Sequence, residues 1–558
     1  MKFLGVLCLL CGLSVCSPAL DREAFTFIKY DLHVRLEPEQ QRIGVRGSIT
    51  LRNDSDVPQQ NVVLQISSSL TWRSIQLDHE PLTFVSQPYT SDIDHTGSLS
   101  EAIVTLPNAV AAKGAIQLTI GYEGVIRADA TRLTRIGVPE NAAKDTDWDT
   151  ISNEFTAVRG IGYVTWYPVA TEAANLSEGS AFTTIERWKS RHRDSSMTIT
   201  FDRPAFPLFF SGVQDSKHDD AIEYTIAHFG VNVPVFVTAD YKSLPARNGS
   251  SVNYLSGNDD TAKAYGALSA RLSLPSFLRS EGNLQILQLP SAEAAAFVSD
   301  SILLIPLNTP ISTDAELNTV YALARQLKIS ERLWIQDGLA HYAQLAHIEK
   351  AGGRQLVLSY LTIRRSLLSE AAKGQPAMAQ HETTDSLINS GDDPKSQMKA
   401  MWVWWMLDDM CGEDAIPQAM SNYQAASDKE PSYMQHLLEA SCKKDLEWFF
   451  DDWVYRDKGL PDFNIASVFQ RKNLKEGYLT TVTVENLGNA GAEVPVTLHD
   501  NSGNFTEKLL VKAKSKASVR FSTIYIPDQV TVNDGSVPES NFNNNTFKVE
   551  AVTETPSN

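Results

Sequence analysis

The carboxylate of Asp337 is the side chain whose neighbours in the sequence point most directly to chemistry. It lies in the ten-residue phrase 333–342, LWIQDGLAHY, and Tyr321 and Arg325 precede it, four residues apart. Residues four apart share one face of a helix, which is the spacing by which two His side chains bind zinc. A hydrolytic zinc needs three protein ligands, an open water position and a base. Of these side chains only Asp337 suits a dication, because tyrosine is an uncommon zinc ligand and an arginine repels the metal.

The phrase resembles the LWLNEGFAxY signature of the zinc aminopeptidases related to membrane alanyl aminopeptidase and leukotriene hydrolase, which are gluzincin metallopeptidases. In that family the Glu of the phrase is the third zinc ligand, and an upstream HExxHxW helix supplies the other two ligands and the catalytic base. The resemblance places the first His at Tyr321, the base at Ala322, the second His at Arg325 and the ligand Glu at Asp337. It therefore implies a degenerate member with no working metal site. The family commonly has eighteen residues between the second His and the Glu, whereas eleven separate Arg325 from Asp337 here.

Two further positions of the family's site have also changed. The family's G-[GA]-M-E-N strand binds the free α-amine of the substrate through its Glu, and the best match, 295–299 (AAFVS), has Val298 there. The family's Tyr in Y-x-K-G stabilises the tetrahedral oxyanion, and the matching stretch 397–400 (QMKA) has Gln397 there. The resemblance thus implies that the metal, the base, the amine anchor and the oxyanion donor are all lost.

The replacement of a zinc ligand by Arg325 leads to a specific hypothesis. A partly buried Asp337 without metal would be a costly unpaired charge. We therefore expect an Arg325–Asp337 ion pair that joins two helices without metal. The alternative is that Arg325 faces solvent and that the match to the family is locally wrong.

Other histidines and the tryptophans offer weaker sites. The segment 381–385 (HETTD) lies in a polar stretch typical of a solvated loop. His341 and His347 share a predicted helix but lie about 240° apart on it, so they do not converge, and His341 is expected to be exposed. The helical spacing of Trp402, Trp404, Trp405, Trp448 and Trp453 favours core packing over a carbohydrate-binding platform.

The patterns that would position these residues fall into three regions. From Phe25 to Lys242 apolar and polar residues alternate, which predicts an antiparallel β-domain. From Ser251 to Lys458 the spacing is helical. A capping box with Thr313 as N-cap and Glu316 predicts one helix, and a second is expected from Glu331 to Lys350 with a stop at the glycine pair 352–353. Later helices are expected over 401–410, 414–426 and 445–454, and strands return from Pro461 to Val552.

Two further segments extend the resemblance. Residues 160–168 (GIGYVTWYP) are similar to the family's segment ending in W-[FY]-P, and 445–455 (DLEWFFDDWVY), followed by 459–461 (GLP), to its DLxWFFxxWVY…GLP element. The resemblance implies a multidomain α+β fold: an N-terminal antiparallel β-saddle-like domain, a thermolysin-like mainly α domain of the gluzincin aminopeptidase type, and a C-terminal immunoglobulin-like β-sandwich. We expect the boundaries to be 1–19 for a signal peptide, 20–245, 246–460 and 461–552 for the domains, and 553–558 for a tail.

Composition and cysteine placement bear on location. The net charge of −18 argues against nucleic acid as a partner. A basic start, the apolar run 3–15 and the residues 17–19 (SPA) predict a signal peptide, which is too short to serve as a transmembrane anchor. Lipidation at Cys16 is disfavoured because Val15 is a poor preceding residue. Outside this leader only Cys411 and Cys442 remain, and they are either one disulfide or two small buried side chains.

These observations predict an exported protein (periplasmic, secreted or on the cell surface) with a dismantled zinc site, a pseudopeptidase that binds peptide or protein without cleaving it. We expect no cofactor and no integral membrane span in the mature chain. The first alternative is an active zinc metallo-aminopeptidase with an atypical site, which would need zinc. The second is an envelope interaction protein acting through its β-domains. Fold resemblance alone is weak evidence for any of them.

Overall fold

The computed structural model describes residues 20–160, 164–178, 181–230, 232–246, 249–272, 274–278, 283–373, 386–389, 394–456, 458–472 and 477–549. The expected signal peptide, the HETTD segment, residues 161–163 of the W-[FY]-P match and the expected tail lie outside these ranges. The fold is a mixed α+β arrangement with many sheets. By packing, the chain divides into two compact units. The first runs to Ala205 and includes Gly212–Phe229 and Pro234–Val237, and the second takes Phe206–Ser211, Gly230–Val233 and the residues from Thr238 onward.

The first half of the chain is rich in strands, as its alternating pattern predicts. Its elements are β1 (Phe25–Glu37), β2 (Arg42–Asn53), β3 (Gln59–Ser67), β4 (Leu70–Leu77), β5 (Glu80–Pro81), β6 (Phe84–Thr90), β7 (Ser98–Val110), β8 (Ala115–Val125), α1 (Thr131–Arg135), α2 (Glu140–Thr146), β9 (Phe155–Val158), α3 (Ala181–His192), β10 (Ser196–Asp202), β11 (Leu208–Phe210), β12 (Val213–Lys217), β13 (Ala221–Ile226) and β14 (Phe236–Ala239).

An eight-stranded sheet in the order β12-β13-β10-β1-β2-β8-β4-β5 is the main feature of the first unit. The apolar residues of β1 alternate onto one buried face as expected, since Tyr30, Leu32 and Val34 are all buried. The expectation of a purely antiparallel domain is wrong at one place: β1 and β10 pair in parallel, with Tyr30 opposite Met197. Residues 59–110 supply a second, antiparallel sheet in the order β3-β7-β6.

The second unit begins with a small mixed sheet and continues with helices. The elements of these two parts are β15 (Lys242–Pro245), β16 (Ser251–Tyr254), α4 (Asp259–Arg271), β17 (Gln285–Gln288), β18 (Phe297–Ser299), β19 (Ile302–Ile305), α5 (Thr313–Arg325), α6 (Leu333–Lys373), α7 (Pro394–Cys411), α8 (Ala415–Asn422), α9 (Tyr433–Cys442) and α10 (Glu447–Phe450). The sheet order is β15-β16-β17-β19-β18, in which β16, β17 and β19 are parallel neighbours and β18 is an antiparallel edge strand.

The helix ends lie close to the predicted ones, but not all of them coincide. The N-cap of α5 is Ser312, one residue before the predicted Thr313, and its side chain accepts a hydrogen bond from the Ala315 amide. Helix α6 breaks at Gly353, where the predicted stop lies, and resumes after it. Helix α8 ends at Asn422, four residues before the predicted end.

The last part of the second unit consists of two small antiparallel sheets, in the orders β20-β21-β24 and β23-β22-β25-β26. The strands are β20 (Phe463–Lys472), β21 (Tyr478–Asn486), β22 (Ala492–Asp500), β23 (Gly503–Val511), β24 (Lys516–Thr523), β25 (Gln529–Val532) and β26 (Thr546–Lys548). Inward-facing residues of both sheets, among them Val484 and Val496, belong to the same hydrophobic core as the helices. In the described part of the chain, no helix is long and apolar enough to cross a bilayer.

Candidate functional site

Helices α5 and α6 bring together the residues at which the sequence predicts a lost metal site. Arg325 is the last residue of α5, and Asp337 lies in the first turns of α6. The Arg325 Nε donates a hydrogen bond to Asp337 Oδ1 at 2.9 Å. The Tyr321 hydroxyl lies 3.4 Å from the same oxygen and donates to it. Two side chains of α5 therefore converge on one carboxylate of α6.

This ion pair is buried. Arg325 is 8% exposed and Asp337 is 1% exposed, so the alternative of a solvent-facing Arg325 is wrong. The pair therefore lies in a poorly hydrated environment, where each charge is stabilised mainly by its partner. The guanidinium also lies 5.9 Å from the centre of the Tyr321 ring, which is within cation–π range.

Ala322 faces away from this carboxylate. It is fully buried in the cluster formed by the mixed sheet, α4 and α5, together with Val252 and Ile286. The side chain of Ala322 is therefore a methyl group packed in this cluster, which can neither accept nor deliver a proton.

The predicted exposure of His341 is wrong. Its ring is not exposed but lies 4.6 Å from the Tyr321 ring, with Nδ1 2.9 Å from Gln344 Oε1. Burial lowers the pKa of His341 below its ordinary value, the side chains of Gln344 and Gln397 oppose this, and nearby Arg325 lowers the pKa further. The imidazole is therefore neutral at physiological pH. Its position one helical turn after Asp337 was the available signal.

Gln397 lies in the first turn of α7 and interacts with His341. Gln397 thus lies next to His341, which in turn contacts Tyr321. The side-chain amide of Gln397 can donate a hydrogen bond.

Val298 lies on the edge strand β18, opposite Leu303 of β19. Its side chain packs against the hydrophobic cluster of the mixed sheet. Position 298 is therefore apolar, and it offers no carboxylate to a ligand's ammonium group.

The residues around Asp337 do not fit a zinc ion. Zinc needs three or four donor side chains with lone pairs, and Arg325 places a permanent cation against the one carboxylate. Among the described residues, no group of three or more His, Cys, Asp or Glu side chains is arranged to hold a metal. His347, which shares α6 with His341, pairs instead with Glu316 at 2.8 Å.

The tryptophans form core, as their spacing predicts. Trp402, Trp404, Trp405 and Trp453 are at most 2% exposed, and Trp448 is partly buried against them. Trp404 stacks on Trp334 of the ten-residue phrase with ring centres 5.5 Å apart, and its Nε1 donates to the Trp334 carbonyl at 2.9 Å. These contacts fix the start of α6, and with it Asp337.

The two cysteines outside the predicted leader form a disulfide in the structure. Cys411 ends α7 and Cys442 ends α9, with Cα atoms 4.9 Å apart. Of the two interpretations that the sequence left open, the structure contains the covalent one.

Comparison of the chain with models of protein families and with curated proteins finds no match to either.

Proposed function

We propose that this chain is an exported relative of the zinc aminopeptidases that binds peptide or protein and does not cleave it. The observation that carries the proposal is the buried Arg325–Asp337 pair. It stands where the resemblance would put a zinc ion, and it brings a fixed cation to the only carboxylate of that set. Ala322 and Val298, both apolar, support the loss of the base and of the amine anchor.

The finer architecture is part of the same proposal. A β-saddle-like N-terminal domain, a thermolysin-like domain and an immunoglobulin-like sandwich are consistent with the sheets and helices described above. The support comes from the antiparallel edge strand β18 and from the contact between α5 and α6. Export is supported by the apolar run 3–15 and by the disulfide, because disulfides persist mainly in oxidising compartments.

Metal analysis and a peptidase assay test the loss of catalysis. The purified protein is dialysed against zinc-containing buffer, then against metal-free buffer, and analysed for zinc. It is also incubated with aminoacyl fluorogenic substrates and with a mixture of unmodified peptides. We expect far less than one zinc per chain and intact peptides. One zinc per chain, together with hydrolysis that a chelator abolishes, would establish the active-enzyme alternative instead.

Binding is tested with peptides that differ only at the N-terminus. Val298 offers no charge partner, so we expect immobilised protein to bind free-amine and N-acetylated forms of a peptide about equally. In Val298→Glu the new carboxylate should favour the free amine about tenfold, as one charged contact of about 1.4 kcal/mol would give. Val298→Gln is the control of equal size without charge. Absence of saturable binding to any peptide in a diverse library would contradict the binding role.

A further inference from the structure

The sheet β20-β21-β24 has one face that points away from the hydrophobic core. Val482 and Val484 of β21 are buried in that core, so the residues that alternate with them lie on the opposite, outer face. Near the end of the sheet where β20 ends and β21 begins, the register places two neighbouring rows on this outer face. They are Arg471, Leu479 and Ser522 in one row, and Phe469, Thr481 and Arg520 in the next.

Large apolar side chains are exposed on these rows and directly beyond them. Phe469 is 66% exposed, and Ile524, which follows β24, is 73% exposed. Tyr525 and Ile526 come next in the chain and are exposed as well. A Cβ atom on Gly477, just before β21, would lie 3.3 Å from the Ile524 Cα atom. The apolar run 524–526 therefore begins beside the same end of the sheet.

The charge of this surface is opposite in sign to that of the whole protein. Arg471 and Arg520 are exposed among the apolar side chains, whereas the chain carries a net charge of −18. Within the described residues neither arginine forms an ion pair. The only carboxylate that the three described strands place on the outer face is Glu485, which lies towards the other end and pairs with Lys516 at 3.2 Å. Phe469, Arg471, Leu479, Arg520 and residues 524–526 together form what we call the outer patch.

We propose that the outer patch docks the protein on the surface of a bilayer that contains anionic phospholipids. Such a surface offers negative headgroups to the two arginines and an apolar interior to Phe469 and Ile524. A second copy of the chain is a poorer partner, because a patch that faced itself would oppose arginine with arginine and supply no carboxylate. This inference goes beyond the proposed function, because it holds whether or not the chain binds peptide.

Sedimentation with vesicles tests the docking. The purified protein is mixed with vesicles of phosphatidylcholine alone, or of phosphatidylcholine and phosphatidylglycerol in equal parts, at low and at high salt. We expect it to sediment with the anionic vesicles at low salt. It should sediment much less with neutral vesicles or at high salt, because salt screens exposed charges. Protein that stays in the supernatant with both kinds of vesicle would overturn the proposal.

Two double variants locate the contact on the protein. Phe469→Ser/Ile524→Ser removes apolar area, and Arg471→Gln/Arg520→Gln removes both charges. We expect each to weaken binding to the anionic vesicles by roughly tenfold or more, because both the apolar and the electrostatic contributions are lost on the same surface. All four positions are exposed, so both variants should melt with the wild type.

A matched control uses exposed residues of another strand. Val213 and Lys217 are both exposed on β12, and Val213→Ser/Lys217→Gln should bind the vesicles as the wild type does. All these proteins share one N-terminus, so a retained leader cannot produce a difference between them. Equal binding by the control and by both patch variants would place the contact elsewhere and refute the outer patch.

A dye at position 524 distinguishes apolar contact from attraction by charge alone. Ile524→Cys is labelled with a nitrobenzoxadiazole dye under conditions that leave the disulfide oxidised, and Val213→Cys is labelled in the same way. The wild type treated likewise gives the background. We expect the emission of the dye at 524 to shift to the blue and to rise on anionic vesicles, and that of the dye at 213 to stay unchanged. A vesicle-bound protein whose dye at 524 remains in water would contradict the proposal.

Two further readouts separate this inference from its rivals. A wild-type dimer that Phe469→Ser/Ile524→Ser dissociates, without vesicle binding by either protein, would make the outer patch a contact between copies and overturn bilayer docking. Peptide binding is measured without lipid and vesicle binding without peptide. Failure of the proposed function and failure of this inference are therefore seen in different experiments.

Discussion

A guanidinium and a zinc ion are both cations, but they make different demands on the side chains around them. Zinc takes lone pairs from several donors in a tetrahedron, whereas a guanidinium donates hydrogen bonds in a plane. One carboxylate, Asp337, is enough to satisfy the Arg325 Nε, and Tyr321 donates to the same oxygen. An arginine beside a single carboxylate therefore needs none of the further ligands that a zinc ion requires, and it offers no metal-bound water for hydrolysis.

A second buried carboxylate, Glu539, gives the protein a measurable pH dependence. It accepts hydrogen bonds from the Phe463 amide and from the side chains of Asn533 and Asn545. Burial nevertheless raises the pKa of Glu539 from 4.5 to about 7, against the lowering effect of these donors. The folded state therefore holds a proton that the unfolded chain releases.

The sign of the effect follows from this raised pKa. The contribution of Glu539 to stability is fully present below pH 4.5 and is lost as the pH rises to about 7. The shift corresponds to roughly 3 kcal/mol in the free energy of unfolding. We expect urea denaturation of the wild type to show this fall between pH 5 and 8, and Glu539→Gln to lack it. Parallel pH profiles for the two proteins would contradict the assignment.

Much of the candidate site follows from sequence at the scale of single residues, and the exceptions have physical causes. The i, i+4 spacing of Tyr321 and Arg325 places them on one face, as the structure shows. The exposure of His341 could not be read in the same way, because it depends on α7 packing nearby with Gln397. The N-cap of α5 was misplaced because Ser312 and Thr313 are both good capping residues, and only the backbone geometry distinguishes them.

At the scale of elements, the contact between α6 and α7 is what fixes Asp337. Gly338 follows Asp337 directly, and Trp404 of α7 lies over it. A Cβ atom at position 338 would stand 2.5 Å from Trp404 Cδ1. The indole is itself held by its hydrogen bond to the Trp334 carbonyl, so it cannot move aside without breaking that bond.

Gly338→Ala should therefore destabilise the protein in spite of alanine's higher helix propensity. We expect a loss of about 1–3 kcal/mol, as for other overpacked cores, measured by chemical denaturation. Gly266→Ala in α4 is the matched control, because its Cβ would meet only the end of the Leu244 side chain, at 3.4 Å. That variant should be neutral or gain up to about 1 kcal/mol. Equal effects at the two positions would mean that the Trp404 contact does not restrain Gly338.

Element pairing in the first unit shows a limit of local sequence patterns. The alternation of apolar and polar residues predicts β1 well, because this pattern depends only on which face of the strand is buried. Its parallel partner β10 lies more than 150 residues further along the chain. Nothing within the two segments specifies that they should meet, so the direction of pairing was not foreseeable from alternation.

At the scale of the whole molecule, the C-terminal strands are part of the helical unit. Trp453 Nε1 donates to the Gly491 carbonyl at 2.8 Å, and the Asp452 carboxylate accepts from the Gly491 amide at 2.8 Å. The Arg365 guanidinium lies 3.9 Å from the centre of the Phe542 ring. Together with the shared hydrophobic core, these contacts indicate that the helices need the C-terminal strands in order to fold stably.

A chain truncated after residue 460 should therefore fail to fold its helical part. We expect it to be recovered mainly as aggregate, or to melt without a cooperative transition, in circular dichroism and calorimetry. The matched control is the full chain with substitutions at exposed positions of the same region, such as Phe469→Ser on β20 and Ile524→Ser just after β24, which should melt with the wild type. A truncated protein with a sharp transition would contradict the shared core. Loss of partner capture on truncation would not by itself identify the strands as the binding surface.

The parallel pairing of β1 with β10 has a consequence for how the chain is made. Strand β1 lies inside its sheet, between β2 and β10. Its antiparallel neighbour β2 follows within a few residues, but β10 begins 159 residues after β1 ends (196 − 37). Until then one edge of β1 exposes its backbone amides and carbonyls, together with a row of apolar side chains. Such an edge is a template for pairing with the wrong strand, including one from another chain, so the newborn N-terminal hairpin is where we expect chaperone protection to matter most.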